Sequence, residues 1–272
     1  MPAIDAGLAA LLRRDRLTVV AALLIVTLLA WTYLLWLAAA DDMAGMDMSD
    51  MDMSGMAGAM APSIRSWAPT DFAFMFAMWS VMMVGMMTPS VAPMILLYAG
   101  VGRKASESGS PIASTGWFFA GYLIVWIAFS ALATIAQWLL TALALLTPMM
   151  ATSSAVLGGI VLIAVGLYQW TPLKETCLRS CQAPLAFLMS HGGFRNKPLG
   201  ALHLGMAHGA YCLGCCFALM ALLFVGGIMN VLWIAGLTIL VLLEKIVPAG
   251  QLIPRISGAL IAAAGIWLLV QG

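Results

Sequence analysis

Residues 117–136 read WFFAGYLIVWIAFSALATIA, twenty consecutive positions without a charge. About twenty apolar residues is the length an α-helix needs to cross the hydrocarbon core of a bilayer. The run is continuous and does not alternate, which excludes a strand of an outer-membrane barrel. Similar runs recur on both sides of it. Read together they give seven spans, roughly 17–38, 72–99, 114–140, 151–171, 200–226, 229–247 and 253–271. The third apolar run continues to Leu146, which predicts a long or tilted helix. Of the 272 residues 63% are hydrophobic and 8% charged, against about 25% charged in an ordinary soluble domain. The fold class expected is therefore all-α: a polytopic helical membrane bundle of about seven transmembrane helices. No separate soluble domain fits in the chain. A net charge of +1 with no basic helix gives no reason to expect nucleic acid as a partner.

Basic residues set the orientation. With the N-terminus in the cytoplasm, Arg13, Arg14, Arg16, Arg103, Lys104, Lys174, Arg179, Arg195, Lys197, Lys245 and Arg255 fall inside and only Arg65 outside. Eleven of the twelve obey the positive-inside rule. The loop 172–198 is then cytoplasmic. Three divisions follow: an N-terminal transmembrane helix or signal anchor over 1–40, an extracytoplasmic Met/Asp-rich segment over 41–70, and a six-helix membrane domain over 71–272. Ala38-Ala39-Ala40 before Asp41 also fits a signal-peptide cleavage site. The apolar run ahead of it is longer than a usual signal core, which favours a retained helix.

The external segment carries Met43, Met46, Met48, Met51, Met53, Met56 and Met60 among Asp41, Asp42, Asp47, Asp50 and Asp52. Such a stretch cannot build a core, because each apolar side chain has a polar or tiny neighbour. Thioether sulfur is a soft ligand that selects Cu(I). The spacings around Met46, Met48, Met51 and Met53 let a flexible chain wrap several sulfurs around one ion. The alternative is a low-complexity linker.

Methionine continues into the second span. Met75, Met78, Met82 and Met86 fall within a stripe of about 80° on a helix, with Met83, Met87 and Met94 beside them. The first set forms either a ladder of soft ligands or adaptable packing. Pro89 and Pro93, flanking Ser90, interrupt the helix and free backbone carbonyls.

The fifth span reads His203-Leu-Gly-Met-Ala-His208-Gly-Ala-Tyr211-Cys212-Leu-Gly-Cys215-Cys216. His208, Cys212 and Cys215 lie within about 60° of one another on a helix, and Cys216 widens the arc to about 100°. One imidazole and two or three sulfurs on one face can bind Cu(I) or Zn(II). Small residues and cysteine at helix contacts are the structural alternative. His203 points elsewhere, toward a different helix, and Tyr211 is a hydrogen-bonding candidate. Glu244 is the acid deep in the late helices, either a structural ion pair with Lys245 or another base, or a ligand or proton carrier. In the loop, Cys177 and Cys181 stand one helical turn apart, as a dithiol metal site, a redox pair or inert thiols. Nearby Lys174 and Arg179 favour thiolate.

These strings together (Met82-Met83-Val-Gly-Met86-Met87-Thr-Pro89-Ser90, Cys177-xxx-Cys181 with Pro184, His208-Gly-x-Tyr211-Cys212-Leu-Gly-Cys215-Cys216, Gly227-x-Met229-Asn230 and Glu244-Lys245) resemble a family of bacterial integral membrane proteins predicted to bind metal and without an assigned function. The resemblance runs from about residue 67 to the C-terminus. It implies a helical inner-membrane bundle with a metal site at His208, Cys212, Cys215, Cys216 and the second-span methionines, and it supplies no reaction. The external Met/Asp segment is a departure from it.

The function expected is capture of Cu(I) by the external methionines and its transport or delivery through the intramembrane Met, His and Cys residues, with Cys177 and Cys181 as exit ligands. Copper is the expected metal, with zinc or iron the other candidates. A periplasmic or cytoplasmic copper chaperone or a membrane cuproenzyme would be the partner. The chain carries no ATP-binding motif, so primary pumping is not expected. Two other readings stand beside this one. In the first, a membrane copper-dependent oxidoreductase uses His203, His208, Cys212, Cys215 and Glu244. In the second, a thiol-disulfide oxidoreductase exchanges Cys177/Cys181 with Cys212/Cys215.

Overall fold

The computed structural model describes residues 2–49, 67–107, 113–147, 151–247 and 250–271; for 2–16, 41–49 and 106–107 it describes the backbone alone. Ten helices follow one another among these residues, with no strand beyond an isolated bridge between Leu146 and Thr152. They are α1 (Pro2–Ser49), α2 (Pro69–Glu107), α3 (Thr115–Ala142), α4 (Ala155–Tyr168), α5 (Pro172–Gln182), α6 (Pro184–Ser190), α7 (Pro198–Ala221), α8 (Leu223–Gly226), α9 (Val231–Ile246) and α10 (Leu252–Gln271).

Among the described residues five stretches are long and apolar enough to cross a membrane: Leu17–Ala40, Pro69–Ala105, Thr115–Ala142, Pro198–Gly226 and Leu252–Gln271. The apolar run expected as a span over 151–171 breaks. Its helix α4 ends at Tyr168, and α5 leaves it at 63°. The physical cause is local. Thr171 caps α5 by accepting from the Lys174 amide, and Pro172 occupies the first turn, where its missing N–H costs nothing. Taken as one bent span, the pair brings the total to six. The stretch expected over 229–247 is the 16-residue α9, started by Asn230, whose side chain accepts from the Trp233 amide. The region expected as a loop over 172–198 holds α5 and α6, with Lys174, Cys177, Leu178, Phe187 and Leu188 buried. The third run does not continue as helix to Leu146: α3 stops at Ala142, and Ala144 turns the chain with φ 55°.

Packing is organised by glycine. α4 lies on α10 through reciprocal notches. A Cβ on Gly166 would stand 2.7 Å from the Gly258 carbonyl, and one on Gly265 would stand 2.8 Å from that of Gly159. α3 lies on α7 in the same way: a Cβ on Gly205 would fall onto the Phe118 carbonyl, and one on Gly121 onto that of Leu202. With no side chain between them, backbones approach closely, the usual solution where the surrounding lipid offers no hydrophobic drive. α1 leans on α2, where Gly85 meets Ala30. The outward faces carry exposed Leu24, Leu28, Trp117, Leu132, Leu232 and Trp267, as a lipid-facing surface would.

The core gathers α2, α3, α5, α7 and α9. Met78, Met82, Met83, Met86, Met87 and Met94 of α2 are all buried. Around Pro89 two hydroxyls bond back to the preceding turn: Thr88 Oγ1 donates to the Val84 carbonyl at 2.7 Å, and Ser90 Oγ to that of Met87 at 2.9 Å.

Candidate metal centre

The face of α7 that carries His208, Cys212, Cys215 and Cys216 turns into the core, and all four side chains are buried. The small residues that let α7 touch α3 set its other neighbours. Tyr122 sits next to the notch at Gly121, and its hydroxyl lies 3.1 Å from Cys212 Sγ. The same hydroxyl donates to the Met87 carbonyl of α2 at 3.3 Å. From α9, Lys245 Nζ lies 2.8 Å from Cys212 Sγ and donates to Ser90 Oγ at 3.1 Å. Cys212 is therefore the point where side chains from α3 and α9 tie α7 to the proline-interrupted middle of α2.

A second thiol arrives from α5. Cys181 Sγ lies 4.0 Å from Cys215 Sγ. All five cysteines are free, and a disulfide would need about 2.05 Å. Two bonds of about 2.3 Å to one ion span about 3.8 Å at a tetrahedral angle and about 4.6 Å when linear. The Cys181–Cys215 separation falls between these limits, so the pair fits a shared ion with little movement. Among the described residues no three His, Cys, Asp or Glu side chains are placed to hold one ion. Two sulfurs suffice for a soft monovalent ion, whereas structural zinc takes four donors. Cys215 and Cys216 both donate to the Cys212 carbonyl, at 3.1 and 2.9 Å, and this orients them toward the same turn. Cys177 packs against α7 at Gly214, where a Cβ would stand 2.7 Å from its sulfur.

His208 is 3% exposed and ringed by Phe118, Tyr122 and Phe187. Its Nδ1 is buried and has no hydrogen-bond partner among the described residues. His203 is exposed, away from the thiols. Tyr211 packs on Phe187 and His191 and is not the tyrosine beside Cys212. Met75 Sδ accepts from Gln137 Nε2 at 3.5 Å, and Gln137 Oε1 accepts from Trp79 at 2.7 Å. On an ideal helix Ser90 lies about 20° from Met83, about 40° from Met86 and about 120° from Met78. Met83, Met86 and Met94 (the last also about 40° from Ser90) are thus the α2 methionines nearest the register of Ser90 and its Lys245 contact. Met51 and Met53 lie outside the described residues, and of Met46 and Met48 only the backbone, at the end of α1, is described.

Glu244 and Lys245 are adjacent in sequence and serve different partners. Glu244 binds Lys174 Nζ at 2.6 Å, and both are almost fully buried. It also accepts from Gln169 Nε2 at 3.0 Å and Ser257 Oγ at 3.2 Å, while its carbonyl accepts from Gln182 at 2.7 Å. This network ties α5 to α9, and α5 in turn presents Cys181. Arg179 pairs with Glu175 on its own helix. The residues that sequence reasoning passed over are Tyr122 and Ser90, and Lys245 as a neighbour of sulfur. For Lys245 a signal existed: an ionisable residue in a membrane segment is functional by default.

A family model described as PpoB2, copper chaperone, matches residues 76–268. No curated protein and no solved structure matches the chain. The match covers most of α2 through most of α10, including all five cysteines. The chain belongs to the PpoB2 copper chaperone family.

Proposed function

We propose that this protein is an integral protein of the bacterial inner membrane that captures Cu(I) through external methionines and delivers or transports it by way of the buried thiols. The observation that carries the reading is the meeting of Cys181 with Cys215, beside Cys212 and Lys245, in a chain of a copper chaperone family. Copper here is cargo, and the chemistry asked of the protein is ligand exchange. One soft donor joins before another leaves, so no free ion is released into hydrocarbon.

In this reading the N-terminus is cytoplasmic and the chain crosses seven times, with α4–α5 and α9 serving as the two shorter passages. Residues 41–70 then lie outside, and Met46, Met48, Met51 and Met53 take the ion first. Met75, Met78, Met82 and Met86 line its way down α2, toward the level of Ser90. Thiolates bind Cu(I) more strongly than thioethers, and this draws the ion to Cys212, Cys215, Cys216 and Cys181. His208, with an unpartnered ring nitrogen, is the nitrogen donor available there. Cys177 and Cys181 stand on the cytoplasmic side, where a soluble carrier or a membrane cuproenzyme would receive the ion.

The test is the metal content of the full chain, purified without oxygen in detergent and offered copper, zinc and iron together. The reading expects copper at about one per chain, lost in Cys181→Ser/Cys215→Ser and weakened in Cys212→Ser. Zinc or iron in its place would reject it. A chain without metal that forms a Cys181–Cys215 disulfide on mild oxidation would establish the thiol oxidoreductase reading, which the 4.0 Å separation also favours. Copper that stays bound through turnover and changes oxidation state would make the protein an enzyme.

A further inference from the structure

His191 takes no part in the thiol centre, yet its ring is set up as a donor. It caps α6, and the turn behind it is fixed. Gly192 and Gly193 take positive φ, the Gly193 amide donates to the Leu188 carbonyl at 2.8 Å, and Arg195 Nη2 donates to the His191 carbonyl at 2.6 Å. His191 Nδ1 lies 2.9 Å from the Phe187 carbonyl. A carbonyl can only accept, so Nδ1 carries the proton and the lone pair of the neutral ring is left on Nε2. Metal-binding histidines are oriented in this way, the nitrogen away from the metal donating to a carbonyl or carboxylate. Ser190 Oγ, at 3.1 Å, also faces Nδ1, and among the described residues no hydrogen bond reaches Nε2. The ring shares an aromatic wall with His208. Between ring centroids Phe187 stands 4.2 Å from His191 and 5.0 Å from His208, so the two imidazoles are no farther apart than the sum of these. Tyr211 closes the wall, 5.7 Å from both Phe187 and His191. His208 precedes Cys212 by one turn of α7, toward the helix start at Pro198. His191 is half-buried, and residues 195–199 beyond it are exposed. The order Cys212, His208, His191 therefore leads from buried sulfur to the surface.

We propose that His191 is a further Cu(I) ligand, the surface station that takes the ion from His208 before it leaves the protein. The inference rests on the copper reading and deepens it, because it adds to the thiols of α5 a nitrogen donor at which the cargo is handed over. The buried ring of His208 has an unpartnered nitrogen on one side of Phe187, and the free Nε2 of His191 belongs to the half-exposed ring on the other. The step is ligand exchange: a bond from Cu(I) to His191 nitrogen forms, the bond to His208 breaks, and the ion keeps its oxidation state. His191 is a separate station and not another ligand of the thiol centre, since among the described residues no three His, Cys, Asp or Glu side chains are placed to hold one ion. Imidazole is a harder donor than thiolate and holds Cu(I) less firmly. The Arg195 guanidinium, on the His191 carbonyl, adds a positive charge beside it. Both features shorten the stay of a cation there, as a point of release requires.

The experiment uses the full chain in detergent without oxygen and has two readouts. The first is release of copper from the loaded chain to bathocuproine disulfonate, a soluble Cu(I) chelator. His191→Gln keeps an N–H for the Phe187 carbonyl and removes the imidazole donor. It should keep its copper and release it about 10-fold more slowly, the size of effect that losing one group around a metal site typically has. His191→Cys restores a donor and should restore most of the rate, which a purely structural role for the ring would not allow. The second readout is the nuclear magnetic resonance of histidine nitrogens in isotope-labelled wild type. The chain has three histidines, so substituting His203 and His208 in turn assigns the signals of His191. Its Nε2 signal should move as Cu(I) is added, and this holds even if His191→Gln fails to fold. Release from His191→Gln at the wild-type rate overturns the inference, as does a His191→Cys variant as slow as His191→Gln, or an Nε2 signal that Cu(I) leaves in place. A wild-type chain that takes up no copper overturns the copper reading itself, a result distinct from a chain that loads copper and releases it equally fast from His191→Gln.

Discussion

Lys174 and Glu244 meet at 2.6 Å in a place with almost no access to water. Gln169 and Ser257 both donate to the other carboxylate oxygen, so the charge is hydrogen-bonded as well as paired. Removing one member leaves the other buried and alone, which typically costs about 3–5 kcal/mol, whereas replacing both by apolar residues is often neutral. Glu244→Leu alone should therefore lower thermal stability in detergent sharply. Lys174→Met/Glu244→Leu should recover most of the loss. Equal destabilisation in single and double variants would show that the pair does not carry α5. At this scale the sequence disclosed half of the centre. The i, i+4, i+7 spacing of His208, Cys212 and Cys215 put them on one face, and the fold keeps them there. Of the partners of that face, Lys245 was legible only as an ionisable residue in an apolar run and Tyr122 not at all, because they come from helices whose relative rotation no spacing rule reports.

Among the elements, α3 and α7 show most directly how composition becomes contact. Gly121, Gly205 and Gly209 leave no side chain where the two backbones cross. Gly205→Ala would drive its methyl into the Phe118 carbonyl, so the helices must part and Tyr122 must move off Cys212. Overpacking of this kind costs about 1–3 kcal/mol, occasionally more. Gly236 of α9 has nothing within 4 Å of its missing Cβ, so Gly236→Ala should be neutral or raise helix stability by up to about 1 kcal/mol. Thermal unfolding of the two variants side by side checks the contrast. Long apolar runs make α2, α3, α7 and α10 readable as helices from hydropathy. α5 is not readable in that way: its 11 residues include Lys174, Glu175 and Arg179, which in isolation describe a solvated loop. Its place under the bundle depends on an acid seventy residues later.

For the molecule as a whole, the proposed orientation rests on the distribution of basic residues. Reporter fusions after Ser110 and after Gly193 should register the cytoplasm, and a fusion after Gly58 the opposite side. A Gly193 fusion that reports the outside would reverse the proposed path of the ion. The all-helical class followed from hydropathy alone. The bend between α4 and α5 did not, because the run stays apolar through Leu167, Tyr168 and Trp170 while Gln169 turns inward to Glu244 and Ser257.

Synthesis runs from the N-terminus, so Lys174 leaves the ribosome seventy residues ahead of Glu244. At about 5–20 residues per second, it waits roughly 4–14 s for its counter-charge. During that interval α5 can already pack on α7, but its buried lysine has no carboxylate to meet. The ion pair that fixes α5 to α9 is therefore completed only after the thiol-bearing helices have been made. Truncation before residue 244 leaves Lys174 without its counter-charge and should make α5 the first segment cut in limited proteolysis.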